Sequence, residues 1–184
     1  NTLIILTSDN GPVVDDGYQD QAVELLGDHR PWGPFRGGKY SNFEAGTRVP
    51  FIVNCPSRIK KGTSKALVSQ IDFLGTMAEF LGMDLTKEQM KDSKGELDAW
   101  CGKDRKGRNY VVEYAGALSV SNGKWKYIYS NNKSTYNKLT NTELGNAPVE
   151  QLYNLKKDKG EKNNVAGKYP DKIAELKACL DAIR

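Results

Sequence analysis

The opening segment Asn1-Thr-Leu-Ile-Ile-Leu-Thr-Ser8 constrains the fold more than any other part of the chain. Its apolar run is continuous rather than alternating, the pattern of a strand buried on both faces. Such strands lie inside parallel α/β sheets and need neighbours on either side, so the segment implies an earlier part of the same sheet and a chain that is a fragment. Val49–Asn54 reads as a second strand of this kind. Between them, Ser8-Asp9-Asn10-Gly11-Pro12 is a dense turn signal at a strand's carboxyl end. Residues 13–42 form a loop far longer than the ~12–15 residues usual for a connection without function, with a short helix expected at Gln19–Leu26.

Further along, Ser69–Leu81 places Ile71, Leu74, Met77, Ala78 and Leu81 at helical spacing, and Gly82 is set to end that helix. Short helices are expected near Lys87–Lys91 and Glu96–Trp100. The texture then changes to short strands at Tyr110–Tyr114, Ala117–Val120, Lys124–Tyr129 and Glu150–Leu155, with a tight primed turn expected at Ser121-Asn122-Gly123. Residues 130–148 read as an irregular excursion. Asp171–Ile183 is a terminal helix with Ile173, Leu176, Cys179, Leu180 and Ile183 on one face. The plan is α/β: part of a mainly parallel sheet in residues 1–107, then a small antiparallel sheet with a C-terminal helix in residues 108–184.

Charge and cysteine content narrow the functional classes. Residues 103–184 carry 16 Lys and Arg against 9 Asp and Glu, whereas residues 1–102 carry 11 against 14. The basic half suits a solvated lysine surface or an acidic polymer, but its tyrosines match no RNA-binding signature, so nucleic acid is not expected. No apolar run approaches the ~20 residues of a membrane helix, so membrane insertion is not expected either. Three widely spaced cysteines, Cys55, Cys101 and Cys179, fit neither a disulfide framework nor a zinc site.

Asp9 and Asn10 are adjacent oxygen donors at a strand's carboxyl end, where α/β folds place ligands, and they suit Ca²⁺ or Mg²⁺. The turn alone does not separate metal binding from a plain connection. Arg36-Gly37-Gly38-Lys39 offers two cations and two glycines to an oxyanion, though without the spacing of a nucleotide phosphate loop, and it reads equally as a basic turn. Glu44 and Arg48 are spaced to pair and hold the entry to the second strand. His29 is the only histidine, so any histidine chemistry falls on it.

Taken in order, Ser8-Asp9-Asn10-Gly11, Arg36-Gly37-Gly38-Lys39, Glu44-Ala-Gly-Thr-Arg-Val-Pro50, Ser69-Gln-Ile-Asp72-Phe-Leu-Gly-Thr76, Asn122-Gly-Lys-Trp-Lys126 and Gln151-Leu-Tyr-Asn-Leu155 resemble the second half of a formylglycine-dependent sulfatase. The resemblance implies an alkaline-phosphatase-like sheet followed by a small antiparallel subdomain. It implies that Asp9 and Asn10 are two ligands of the active-site calcium, that Asp9 also activates the nucleophile, and that Lys39 contacts the substrate's sulfate. His29, Arg30 and Trp32, in the long loop, would face the group that bears the ester, a sulfated small molecule or sugar. The intact enzyme would be periplasmic or secreted. Cys55-Pro-Ser-Arg58 and Cys101-Gly-Lys-Asp-Arg105 both depart from the C-x-P-x-R motif that yields formylglycine. The nucleophile and the remaining calcium ligands would therefore come from a missing N-terminal part of the same enzyme, and the chain alone would be inactive. A phosphoryl-transfer enzyme of the same superfamily and a non-catalytic acidic-glycan-binding protein are the alternatives.

Overall fold

A computed structural model describes residues 2–182. Asn1 and Ile183, assigned above to the first strand and last helix, lie outside the described residues. In chain order the elements are β1 (Ile4–Thr7), α1 (Ala22–Leu25), α2 (Glu44–Thr47), β2 (Phe51–Asn54), α3 (Phe73–Leu81), α4 (Lys87–Met90) and α5 (Leu97–Trp100). They continue as β3 (Val111–Tyr114), β4 (Leu118–Ser121), β5 (Trp125–Ile128), β6 (Tyr136–Asn137), β7 (Thr142–Glu143), β8 (Gln151–Asn154) and α6 (Pro170–Asp181). Among the described residues no helix is long and apolar enough to cross a membrane.

The chain divides into two compact units. One combines the residues up to Leu6 with Phe51–Val111, and the other combines Thr7–Pro50 with the residues from Val112 onward.

In the first unit β1 and β2 form a two-stranded sheet. Both strands are expected to be buried on two faces with further neighbours; within this chain alone Ile4, Leu6 and Ile52 are 55%, 59% and 55% exposed. Among the described residues each strand has one neighbour, so alternate side chains have nothing within the chain to pack on. Helix α3 departs in the same way from the apolar stripe read in the sequence. Ile71, Leu74 and Leu81 are exposed, while Asp72, Gly75, Thr76 and Ala78 are buried.

The reason is a connection that packs on the small, polar side of the helix. A Cβ on Gly75 would lie 2.6 Å from the Lys94 carbonyl carbon, so only glycine admits that backbone. The Thr76 hydroxyl accepts from the Glu96 N–H at 3.1 Å, and the Gly75 N–H donates to the Ser93 hydroxyl at 2.9 Å. Gly82 ends the helix in the left-handed conformation at φ 66°, as its position predicts. Fully buried Asp72 takes two hydrogen bonds of 2.5 Å from Arg108 and a third, of 3.0 Å, from the Lys94 N–H. Trp100 is a second centre, edge-on to Phe51 and Phe73 at 4.9 and 5.3 Å.

In the second unit the strand order is β3-β4-β5-β8, with β4–β5 and β5–β8 antiparallel. The tight turn expected between β4 and β5 centres on Gly123 and Lys124: the Asn122 N–H donates to the Trp125 carbonyl at 3.1 Å, and Gly123, in the first central position, takes the positive φ of 77° that a primed turn of the II′ type requires there. Asn122 also acts through its side chain, whose oxygen accepts from the Lys124 and Trp125 N–H groups at 3.1 and 2.8 Å. The excursion at 130–148 contains the β6–β7 hairpin, too short for a periodic signal. Ile173, Leu176 and Leu180 of α6 are buried, and Cys179 is half-buried at the edge of that stripe. Pro170 starts the helix, as its fixed φ favours.

Removing Arg108 leaves the Asp72 carboxylate buried without a countercharge, which is among the more costly single losses in a protein. Arg108→Ala should therefore destabilise the full-length protein by about 3–5 kcal/mol, read as a shift of the urea midpoint. A midpoint unchanged within error would show that Asp72 is adequately solvated without its partner.

Candidate active site

The second unit assembles the residues singled out at the end of β1. Gly11 lies so close to the turn after α2's start that a Cβ would stand 1.6 Å from the Ala45 carbonyl oxygen. Its N–H donates to the Gly46 carbonyl at 2.8 Å. Gly46 is equally confined, since a Cβ there would meet the Ser41 carbonyl oxygen at 2.0 Å. The Lys39 N–H donates to the Pro12 carbonyl at 2.8 Å. The strand-end turn 8–12 and the segment 38–46 are thus laced together by backbone hydrogen bonds across two mandatory glycines. Sequence distance alone, 30 residues from Asp9 to Lys39, does not reveal this.

Asn10 uses its amide nitrogen on the Gly11 carbonyl at 2.9 Å, which leaves the side-chain oxygen as its outward donor. Asp9 beside it is exposed. Among the described residues no three His, Cys, Asp or Glu side chains converge to hold a metal. Asp9 and Asn10 suit a hard cation by donor type, and a calcium ion needs 6–8 oxygens, so the rest of its shell would have to come from elsewhere.

A cavity of about 510 Å³ opens beside this turn. Asn10, Gly11, Trp32, Phe35 and Arg48 are among its walls. Asn10 and Trp32 therefore share one cavity, whereas Asp9, His29, Arg30 and Lys39 are not part of its lining. His29 and Arg30 are exposed on a turn closed by the Gly33 N–H donating to the Arg30 carbonyl at 2.9 Å. Lys39 is half-buried, its ammonium 5.3 Å from the Tyr40 ring centroid, and it makes no ion pair with a carboxylate among the described residues.

Arg36 does not join Lys39 as a second free cation. Its guanidinium holds Glu143 through bonds of 2.8 and 2.9 Å, donates to the Glu161 carbonyl at 2.8 Å and covers the Phe43 ring at 4.1 Å. Those bonds hold Glu143 below the usual carboxylate range and raise Arg36. The Arg36 side chain therefore fastens the glycine turn to the rest of the unit.

Arg48 is the cavity residue that sequence reasoning treats only as structural. It pairs with Glu44 as expected, Nε to Oε2 at 2.6 Å, and lies 4.9 Å over the Phe35 ring. It also presents its exposed side chain to the cavity. Its spacing from Glu44 is the signal that was available, and it points to the pair alone.

Beneath the site lies a buried charge cluster that joins two of the sequence motifs, Glu44 from one and Lys126 from another, with Glu113 and Glu161. Lys126 of β5 is 0% exposed, and its ammonium donates to Glu44 at 3.2 Å and Glu113 at 3.0 Å. Burial by itself would lower the Lys126 pKa, but the Glu113, Glu44 and Glu161 carboxylates outweigh it and raise it. Burial likewise opposes ionisation of Glu44, yet Lys126 and Arg48 hold it below the usual carboxylate range. Glu161 accepts the Glu44 N–H at 2.7 Å through one oxygen, while the other is buried without a hydrogen-bond partner. Burial pushes its carboxyl up to about 7, against the pull of Lys126 and the Glu44 N–H. The two partial motif matches are poor nucleophiles: Cys55 is buried and burial raises the Cys101 thiol.

The fold thus laces a strand-end oxygen pair, Asp9 and Asn10, to a glycine turn that ends in Lys39, which has no acidic partner among the described residues. The family model described as Sulfatase matches residues 1–83. The N-acetylgalactosamine-6-O-sulfatase of Bacteroides thetaiotaomicron is 45% identical over 186 residues, covering 100% of this chain and 36% of that protein. Human arylsulfatase A is 28% identical over 193 residues, covering 96% of this chain and 36% of its own length. A solved structure from work on glycosaminoglycan metabolism by Bacteroides thetaiotaomicron superposes with a TM-score of 0.95 at 45% identity, over 100% of this chain and 38% of that one. A Pseudoalteromonas sulfatase at 23% identity shares the fold with a TM-score of 0.74, over 99% of this chain and 36% of that one. The chain belongs to the sulfatase family, with the family's α/β fold, and spans little more than a third of the length of these relatives.

The state of Glu161 has a measurable consequence. A carboxyl raised from 4.5 to about 7 favours its neutral form in the folded state, so its contribution is complete below the ordinary value and is lost as pH rises through the raised one. Relative to Glu161→Gln, which cannot titrate, the full-length protein should lose up to about 3 kcal/mol of stability between pH 4.5 and 8. Urea unfolding of both proteins across that range measures it. A constant difference between them would mean that Glu161 stays ionised.

Proposed function

We propose that the protein containing this chain hydrolyses sulfate esters of carbohydrates, with 6-O-sulfated N-acetylgalactosamine as the substrate class. The observation that carries this reading is the 45% identity along the entire chain with an N-acetylgalactosamine-6-O-sulfatase. In support, Lys39 is tied by its backbone to the turn that bears Asp9 and Asn10, so a cation and two oxygen donors belong to one assembly.

In this reading Asp9 and Asn10 supply part of a calcium shell, and the ion, when bound, neutralises charge on the sulfate oxygens. The covalent step belongs to a formylglycine outside this chain. The residues here bind and orient. Lys39 donates to the sulfate oxygens, a contact that strengthens as negative charge grows in the transition state. Trp32 and Arg48 line the cavity beside the strand end and offer a ring face and a cation to the sugar. The mandatory contact of Gly11 with Ala45 keeps the turn rigid, so these groups are positioned before substrate arrives. In the same reading Asp9 takes the proton of the nucleophile.

The test is sulfate release by the full-length protein from N-acetylgalactosamine 6-sulfate and from its 4-sulfate isomer. Preference for the 6-sulfate supports the proposal, and no release from either ester removes it. Lys39→Ala should lower kcat/KM by roughly 2–4 kcal/mol in activation free energy, whereas Lys60→Ala should change it little. Calorimetric titration with calcium supplies a second readout: Asp9→Ala should weaken binding at least tenfold, and unchanged affinity would take Asp9 out of the metal shell.

A further inference from the structure

A second cavity, of about 440 Å³, lies in the same unit and has no part in the chemistry above. Its walls include Tyr40, Tyr114, Gly116, Lys133, Ser134 and Asn146. The two tyrosines are 48% and 68% exposed, so ring surface is open to a ligand at the rim of this concavity.

Tyr40 is held in a conformation that side chains avoid, with φ of 77°. It sits inside a turn closed by the Ser41 N–H donating to the Gly38 carbonyl at 3.0 Å. Backbone strain at a non-glycine residue persists only where the surroundings impose it, and it concentrates at ligand sites. Here it fixes a tyrosine immediately after Lys39.

Each ring carries a cation. The Lys39 ammonium is 5.3 Å from the Tyr40 centroid, and the Lys133 ammonium is 5.5 Å from the Tyr114 centroid. Lys133 is immobilised by the Gly116 carbonyl at 2.6 Å and the Tyr114 hydroxyl at 3.3 Å. Among the described residues it has no carboxylate partner, and an ammonium has three protons to donate, so one remains for a ligand.

The wall between the rings is stiff and polar. The Asn146 side-chain oxygen accepts from Asn42 and Asn131, both at 3.1 Å, and its amide donates to the Ser134 carbonyl at 2.7 Å. Aromatic rings, one fixed cation at Lys133 and a preorganised amide wall are the combination that holds a pyranose ring bearing an anionic group.

We infer that the Tyr40–Tyr114–Lys133 cavity is a saccharide subsite that binds an anionic sugar residue neighbouring the one whose ester is cleaved. This rests on the sulfatase reading for the position of the cleaved residue, and it deepens that reading from a single sulfated sugar to a polymer. The strained turn links the two sites, because Lys39 serves the ester and Tyr40 serves the neighbour.

The probes are N-acetylgalactosamine 6-sulfate and a tetrasaccharide alternating 6-O-sulfated N-acetylgalactosamine with a uronic acid, used with the full-length protein. Lys133→Ala and Tyr114→Ala should each lower the ratio of kcat/KM for tetrasaccharide to that for monosaccharide about tenfold, mainly through KM. Lys133→Arg should recover most of the loss. Both residues are exposed, so folding is not at stake. Calorimetric titration with the tetrasaccharide reads the subsite independently of turnover and should show about tenfold weaker binding in Lys133→Ala. If the wild type releases sulfate but both ratios and the binding constant are unchanged, the subsite is overturned and the sulfatase reading stands. If the wild type releases no sulfate, the sulfatase reading falls, and the binding comparison alone decides whether the cavity holds an anionic sugar.

Discussion

The second unit depends on one buried charge. Lys126 sits at 0% exposure in β5, and its ammonium reaches Glu44 at the start of α2 and Glu113 in β3. Burying an ammonium is unfavourable by several kcal/mol, and only partners held in good geometry offset it. The cluster therefore tolerates few arrangements. It requires the segment carrying Glu44 to lie against the antiparallel sheet, and that segment is the one that confines Gly11 and orients Lys39. Glu161 completes the arrangement by accepting the Glu44 N–H, which fixes the first turn of a helix only four residues long.

Apolar packing acts in the same direction. Phe43, next to Glu44, is buried with Ala117, Ile128, Tyr153 and Leu155 and meets the Tyr153 ring edge-on at 5.9 Å. The non-directional contribution from Phe43 brings the segment down, and the ion pairs set its register. Arg36 adds a third fastening through Glu143 on β7. The role proposed for Lys39 needs this stiffness, because a lysine on a loose loop would lose conformational entropy each time it closed on a sulfate.

Much of this was legible in the sequence. Local signals found α3, its glycine cap, the strands of the antiparallel sheet and α6, because each has a periodic pattern or a specific terminator. The ordered motifs from Ser8 to Leu155 carried the family. Other features were hidden for physical reasons. Nothing local marks Lys126 of β5 as buried; only its partners 82 and 13 residues away make it a core residue. Ile4, Leu6, Ile71 and Leu74 read as core and are exposed, because burial is a property of neighbours rather than of residue type. Gly11 and Gly46 look like ordinary turn glycines until their carbonyl contacts are seen.

Backbone hydrogen exchange in Lys126→Met tests most directly whether the buried ammonium positions the site. The account predicts that the Gly11, Lys39 and Gly46 amides, which donate to Gly46, Pro12 and Phe43, lose protection. The amides of the β4–β5 and β5–β8 ladders should stay protected, because those pairings do not involve the ammonium. Protection unchanged at Gly11, Lys39 and Gly46, or lost equally across both ladders, would contradict the claim that Lys126 holds the site to the sheet.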